Sequence, residues 1–182
     1  YLLLQNHYLF FQQINLNSES VYATTLSGDS LISIGESGNI YVTNILTKKN
    51  KWIHKLQLAK PLKNVQYKNS MVFQFPFLYL ITKQGVLKLN VLSRQEAIIL
   101  KNECNRLEVN PFNKNIYALN AHRLFKITPS VYEIKLKGEF ILEDITFKNR
   151  TSFYVATPSG LIYFNNGQQF FNNNSSVLPT TR

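Results

Sequence analysis

The chain has 182 residues, 45% of them hydrophobic and 13% aromatic, with a net charge of +10. That is enough for one domain with a sizeable core, and it excludes an intrinsically disordered chain. No apolar run reaches the ~18 residues a membrane helix needs, and Cys104, the one cysteine, excludes an intramolecular disulfide and a cysteine-based zinc site.

The start, YLLLQNHYLFFQQI, is apolar but short. It lacks the basic flank and small-residue cleavage site of a signal peptide. No Met opens it, so the expectation is a processed protein or a fragment. Within it, a hairpin near 2–14 would turn at Asn6 and His7. Charge is uneven along the chain. Residues 1–47 hold no Lys or Arg and three acids, whereas residues 48–182 hold all 20 basic residues and seven acids.

The next element is LISIGESGNIYVTN, a predicted hairpin over 31–46. Gly28-Asp29-Ser30-Leu31, just before it, spells an esterase signature. The matching downstream base is missing, because Phe147 stands three residues after Asp144, so a turn is the expectation. Gly35-Glu36-Ser37-Gly38 belongs to the hairpin turn and not to a Gly-x-Ser-x-Gly elbow. TKKNKWIHKLQLAKPLKNVQYK, 47–68, holds seven lysines and no acid. Alternation sends Trp52, His54, Leu56 and Leu58 one way, which reads as Trp52 packed in the core with lysines in solvent. The functional reading is an electrostatic patch of Lys48, Lys49, Lys51, Lys55, Lys60 and Lys63 toward an acidic protein. Lysines at that density also engage phosphates. No motif for base readout accompanies them, because the five arginines are dispersed.

Further hairpins follow at 78–92, 116–128 and 153–165. NRLEVN and EDITF precede the last two, and EAIIL and YEIKLKGEF follow the first two. LYLITKQGVLKLN aligns with FYVATPSGLIYFN without a gap, placing Tyr79, Thr82, Gly85 and Asn90 under Tyr154, Thr157, Gly160 and Asn165. IYALNAHRLFKIT also fits, with Arg123 in the glycine slot. The turn positions 38, 85, 123 and 160 lie 47, 38 and 37 residues apart. A strand-built period of about 40 residues is the signature of a β-propeller. The expected fold is therefore all-β, a propeller-type array of four to five four-stranded antiparallel blades spanning 1–171, with a loose Asn-rich tail over 172–182. The rival is a β-sandwich with similar hairpins. Three glycosylation sequons, at Asn149, Asn173 and Asn174, are about what this composition produces by chance.

LEVNPFNKNIYALN, DITFKNRTSFYVATPSGLIYF and GNIYVTN resemble blades of the NHL, gluconolactonase-like and YVTN propellers. Their texture is also similar to the insect ommochrome-binding proteins. The Gly-His and Trp-Asp marks of WD repeats are absent. The lactonase resemblance implies a divalent cation held by Glu, Asn and Asp, for which Glu143, Asp144 and Asn110 are the candidates. Capping or surface roles for these residues are the competing expectation. His7, His54 and His122 show no metal-ligand spacing, and no nucleophile or base stands out. The expectation is a non-catalytic binding or scaffold module for a protein partner, with no cofactor and no metal. Its candidate sites are the lysine patch and the channel or loop residues Asn110, His122, Arg123 and Asp144. The alternatives are a secreted pigment-type ligand binder and a metal-dependent lactonase-like hydrolase.

Overall fold

The computed structural model describes residues 20–58, 62 and 69–172. Every regular element among them is a strand, and the sixteen strands form four four-stranded antiparallel sheets. The hairpin expected near 2–14, the tail from residue 173, and Lys60 and Lys63 lie outside the described residues. Two compact units divide the chain, Tyr1–Asn64 and Val65–Arg182.

The first unit holds one sheet: β1 (Val21–Ser27), β2 (Ser30–Gly35), β3 (Asn39–Asn44) and β4 (Asn50–Lys55). The second unit holds three. Its first sheet is β5 (Met71–Gln74), β6 (Phe77–Thr82), β7 (Gly85–Asn90) and β8 (Gln95–Leu100). The next is β9 (Arg106–Val109), β10 (Ile116–Leu119), β11 (Leu124–Lys126) and β12 (Tyr132–Ile134). The last is β13 (Asp144–Phe147), β14 (Ser152–Thr157), β15 (Gly160–Asn165) and β16 (Gln168–Asn172). All four are simple meanders, paired in chain order. Their central hairpins, β2–β3, β6–β7, β10–β11 and β14–β15, are the repeated stretches of the sequence. Gly28-Asp29 is the turn into β2, so Ser30 opens a strand.

Packing in the second unit explains why its inner strands are apolar on both faces. All four residues of β10, Ile-Tyr-Ala-Leu, are buried. Side chains of a strand alternate between faces. Ile116 and Ala118 therefore join Val72, Tyr79, Ile81, Val86 and Leu107 in a core shared with the sheet before. Tyr117 and Leu119 join Ile145, Phe153, Val155 and Ile162 in a core shared with the sheet after. Each Val, Leu, Ile or Phe among them contributes roughly 1.5–3 kcal/mol on full burial. Between the sheets the first strands run closest, β5 beside β9, with Leu107 N donating to Asn69 O at 3.0 Å. Tyr154, the repeat partner of Tyr79 and Tyr117, belongs to neither core. It is half-buried and stacks on Tyr163, ring centroids 4.7 Å apart.

Candidate functional site

The lysine patch begins in the turn between β3 and β4. Asn44 builds that turn: its Oδ1 accepts from Leu46 N at 3.1 Å and Thr47 N at 2.7 Å, and its own N donates to Lys49 O at 2.9 Å. Lys48 holds a left-handed φ of 57°. Lys48, Lys49, Lys51 and Lys55 are all exposed, and β4 is the edge strand of its sheet. Trp52 departs from the sequence expectation. It is 48% exposed, and its indole Nε1 donates to Asn39 Oδ1 at 3.3 Å. The cause is a bulge. Tyr41 pairs with Trp52 and Ile40 with His54, leaving Ile53 as an extra residue. One extra residue breaks the alternation that would have carried Trp52 inward with Leu56.

The second candidate set does not assemble. Asn110 sits in the β9–β10 turn, buried to 1%. Its Oδ1 accepts from Phe112 N at 2.9 Å and its Nδ2 donates to Asn149 O at 3.0 Å. His122, Arg123 and Asp144 lie at the other end of these strands, roughly 13 Å along a four-residue strand. His122 is exposed, with Nδ1 3.2 Å from Phe140 O. Arg123 pairs with Glu133 on β12, Nε donating to Oε1 at 3.1 Å, and its guanidinium carbon lies 5.0 Å from the Phe125 ring centroid. That hydrogen bond, then the charge behind it, holds the Glu133 carboxyl below its ordinary value.

Asp144 instead takes part in a network that sequence reading missed. Arg106 Nη1 lies 3.0 Å from Asp144 Oδ1, and Arg106 Nε lies 2.7 Å from Glu108 Oε1. Glu108 also accepts from Asn69 Nδ2. The network ties the first strands β9 and β13 to each other and to Asn69, two residues ahead of β5. Its signal was available: Arg106 and Asp144 are the first residues of β9 and β13, so they occupy one repeat position in neighbouring sheets. The arginine meets these carboxylates as a clamp. Among the described residues no group of three or more His, Cys, Asp or Glu comes together to hold a metal ion. The Cys104 thiol is buried, which pushes its pKa up to about 12 and keeps it protonated.

No family model matches the chain, and no curated protein matches it. Solved structures do. An extracellular domain of the one-component system BT4673 from B. thetaiotaomicron is similar with a TM-score of 0.61 at 16% identity, covering 89% of this chain and 24% of that one. The WD40 repeats of RRP9 give 0.59 at 8% identity, covering 87% and 52%. The β-propeller domain of Myceliophteria thermophila Cps50 (Swd1) gives 0.57 at 14% identity, covering 81% and 53%. The chain thus spans about a quarter of the first and about half of the others. At these identities the likeness is one of fold. Four meander sheets, matched to propeller and WD40 domains, make the chain an all-β array of propeller blades.

Proposed function

We propose that the chain is a non-catalytic binding module that contacts an acidic protein through Lys48, Lys49, Lys51 and Lys55, a patch that Lys60 and Lys63 extend in sequence. One observation supports this reading. Four exposed lysines share a turn and an edge strand with a half-exposed tryptophan. Clustered like charge raises the encounter rate with an acidic surface. An accessible tryptophan supplies the kind of anchor on which interfaces concentrate their energy. The competing role is protection, since lysines on an edge strand also deter strand-to-strand aggregation.

Polyglutamate serves as a surrogate for the acidic partner. Binding measured by fluorescence anisotropy should weaken as salt rises from low to physiological strength, because surface charges are screened over ~8 Å there. It should be lost in K48E/K49E/K51E/K55E. Binding that is unchanged by both the substitution and salt would show that the patch is not the contact. The protective role alone predicts aggregation when the lysines become Gln, with no change in polyglutamate binding.

A further inference from the structure

The three blades of the second unit are meanders, so the turns after the first and third strands share one edge. In chain order these turns cover 75–76, 91–94, 110–115, 127–131, 148–151 and 166–167. None contains Asp or Glu. Arg94, Lys114, Lys148 and Arg150 are all exposed on them. Of the acids of this unit, Glu103, Glu139 and Glu143 lie in connections at the opposite edge, Asp144 at the start of β13, Glu108 and Glu133 within strands and paired with Arg106 and Arg123, and Glu96 is the second residue of β8, two after Arg94.

The same edge exposes large apolar side chains. Phe75 is 70% exposed, Leu92 68%, Phe112 48% and Val131 39%. It is also fastened from blade to blade. Gln74 Nε2 donates to Lys114 O at 2.6 Å, Asn113 Nδ2 to Arg150 O at 2.7 Å, and Asn110 Nδ2 to Asn149 O at 3.0 Å. Within the turns, Asn90 Oδ1 accepts from Leu92 N at 3.0 Å, and Asn149 Oδ1 from Ser152 N at 2.8 Å. The turns are therefore held in place before any partner arrives, which reduces the ordering cost of binding. Arg94 and Lys114 hold left-handed φ values of 60° and 62°. Gly or Asn would adopt that conformation more cheaply, by about 1 kcal/mol. Long cationic side chains occupy these two positions despite the strain, an outlier that fits a functional role for them.

We infer that this edge is a docking surface for an acidic polypeptide segment bearing large apolar side chains. Its carboxylates meet Arg94, Lys114, Lys148 and Arg150, and its apolar groups cover Phe75, Leu92 and Phe112. Leu92 and Val131, unlike Phe75 and Phe112, have no ring on which a base could stack, so these two of the four exposed apolar groups would gain no stacking from nucleic acid. Phe112 and Val131 are about half covered where they stand, and their turns are fastened in place, which disfavours insertion into a lipid interface. The surface lies in the second unit and goes beyond the lysine patch of the first.

Random peptides displayed on phage are selected on the full chain, and the recovered sequences are synthesised with a fluorophore. They should combine Asp and Glu with Phe, Leu or Trp. Their affinity should fall about tenfold or more in R94E/K114E/R150E and in F75S/L92S, and stay unchanged in K48E/K49E/K51E/K55E. All five substituted edge residues are exposed, and superimposable thermal melts check that the variants fold. The inference is overturned if no acidic peptides are recovered, or if both edge variants bind them like the parent. It is also overturned if the edge variants instead abolish binding of a single-stranded oligonucleotide or of phosphatidylserine vesicles. Loss confined to the Lys48 variant would overturn it too, while supporting the first patch.

Discussion

The second and fourth blades close their central hairpins in one way, and the third blade in another. Thr82 pairs with Gly85 across a two-residue turn, and Thr157 pairs with Gly160. In both, the threonine hydroxyl donates to the glycine carbonyl, at 3.0 and 2.9 Å. Both glycines have φ in the left-handed half of the map, +123° and +140°. The third blade has Asn120-Ala121-His122-Arg123 instead. Asn120 Oδ1 accepts from His122 N at 2.9 Å and Arg123 N at 2.7 Å, and Asn120 N donates to Arg123 O at 3.0 Å. A short amide side chain thus organises the turn from its first position. Arg123 does not adopt a left-handed φ, so its slot accepts a side chain, and that side chain pairs with Glu133. The repeat therefore requires a closed hairpin at this position. Glycine is one solution to that requirement, and an asparagine three residues earlier is another.

The sharpest way to separate the two solutions is to add one methyl group. At Gly85 a Cβ would sit 1.8 Å from Leu100 O, on backbone that cannot move without breaking the β7–β8 pairing. Gly85→Ala should cost on the order of 3–5 kcal/mol in urea unfolding, the range of severe single substitutions. Gly167→Ala, where a Cβ would meet nothing within 4 Å, should cost less, about 1–2 kcal/mol from its backbone conformation alone. Equal costs would mean that the crowding at Gly85 relaxes freely. In the third blade the sensitive residue is Asn120. Asn120→Ala removes two turn hydrogen bonds and the one from Nδ2 to Glu103 O at 3.0 Å, and should cost about 1–2 kcal/mol. Cys104, next to Glu103, gives a local readout. Its ordinary pKa of 9.0 is pushed up to about 12 by burial. The native thiol should therefore label slowly at pH 9 and faster in Asn120→Ala. The double variant Asn120→Thr, Arg123→Gly should restore most of the loss. Labelling unaltered in Asn120→Ala would show that the turn does not hold the β8–β9 connection around Cys104 in place.

The comparison also shows which parts of the molecule the sequence discloses. The central hairpins were readable because Thr, Gly and Tyr recur at fixed offsets wherever the two-residue turn is used. Arg123 stood out as an exception. Its explanation lay in Asn120, which the same gapless alignment places under Thr157. Strict alternation makes Trp52 a core residue. A bulge leaves no mark in composition, since it depends on the register between two strands. The lysine patch was visible as a run, but its exposure beside Trp52 was not. The Arg106 network was hidden for a different reason. Arginines scattered along a chain look unrelated until the repeat brings the first strands of successive blades side by side.

Two smaller effects sharpen the contrast. Thr157→Val and Thr82→Val each delete two side-chain hydrogen bonds from a two-residue turn, the second to Ser159 Oγ and from Gln84 N respectively, and each should cost about 1–2 kcal/mol. Neither change touches a titrating group, so the cost should be constant from neutral to acidic pH. The third blade should behave differently. Arg123 holds the Glu133 carboxyl below its ordinary value through their hydrogen bond. A carboxyl depressed in the folded state adds stability above its unfolded titration range and loses it as pH falls through the folded one. The gap in urea midpoint between the parent and Arg123→Met should therefore be widest near neutral pH. It should narrow below the ordinary carboxylate range, about pH 4. The side chains are 43% and 32% exposed, so the gap should be small and should shrink further in salt. A gap that stays constant with pH would assign the role of Arg123 to its packing over Phe125, and the third blade would then differ from its neighbours in shape alone.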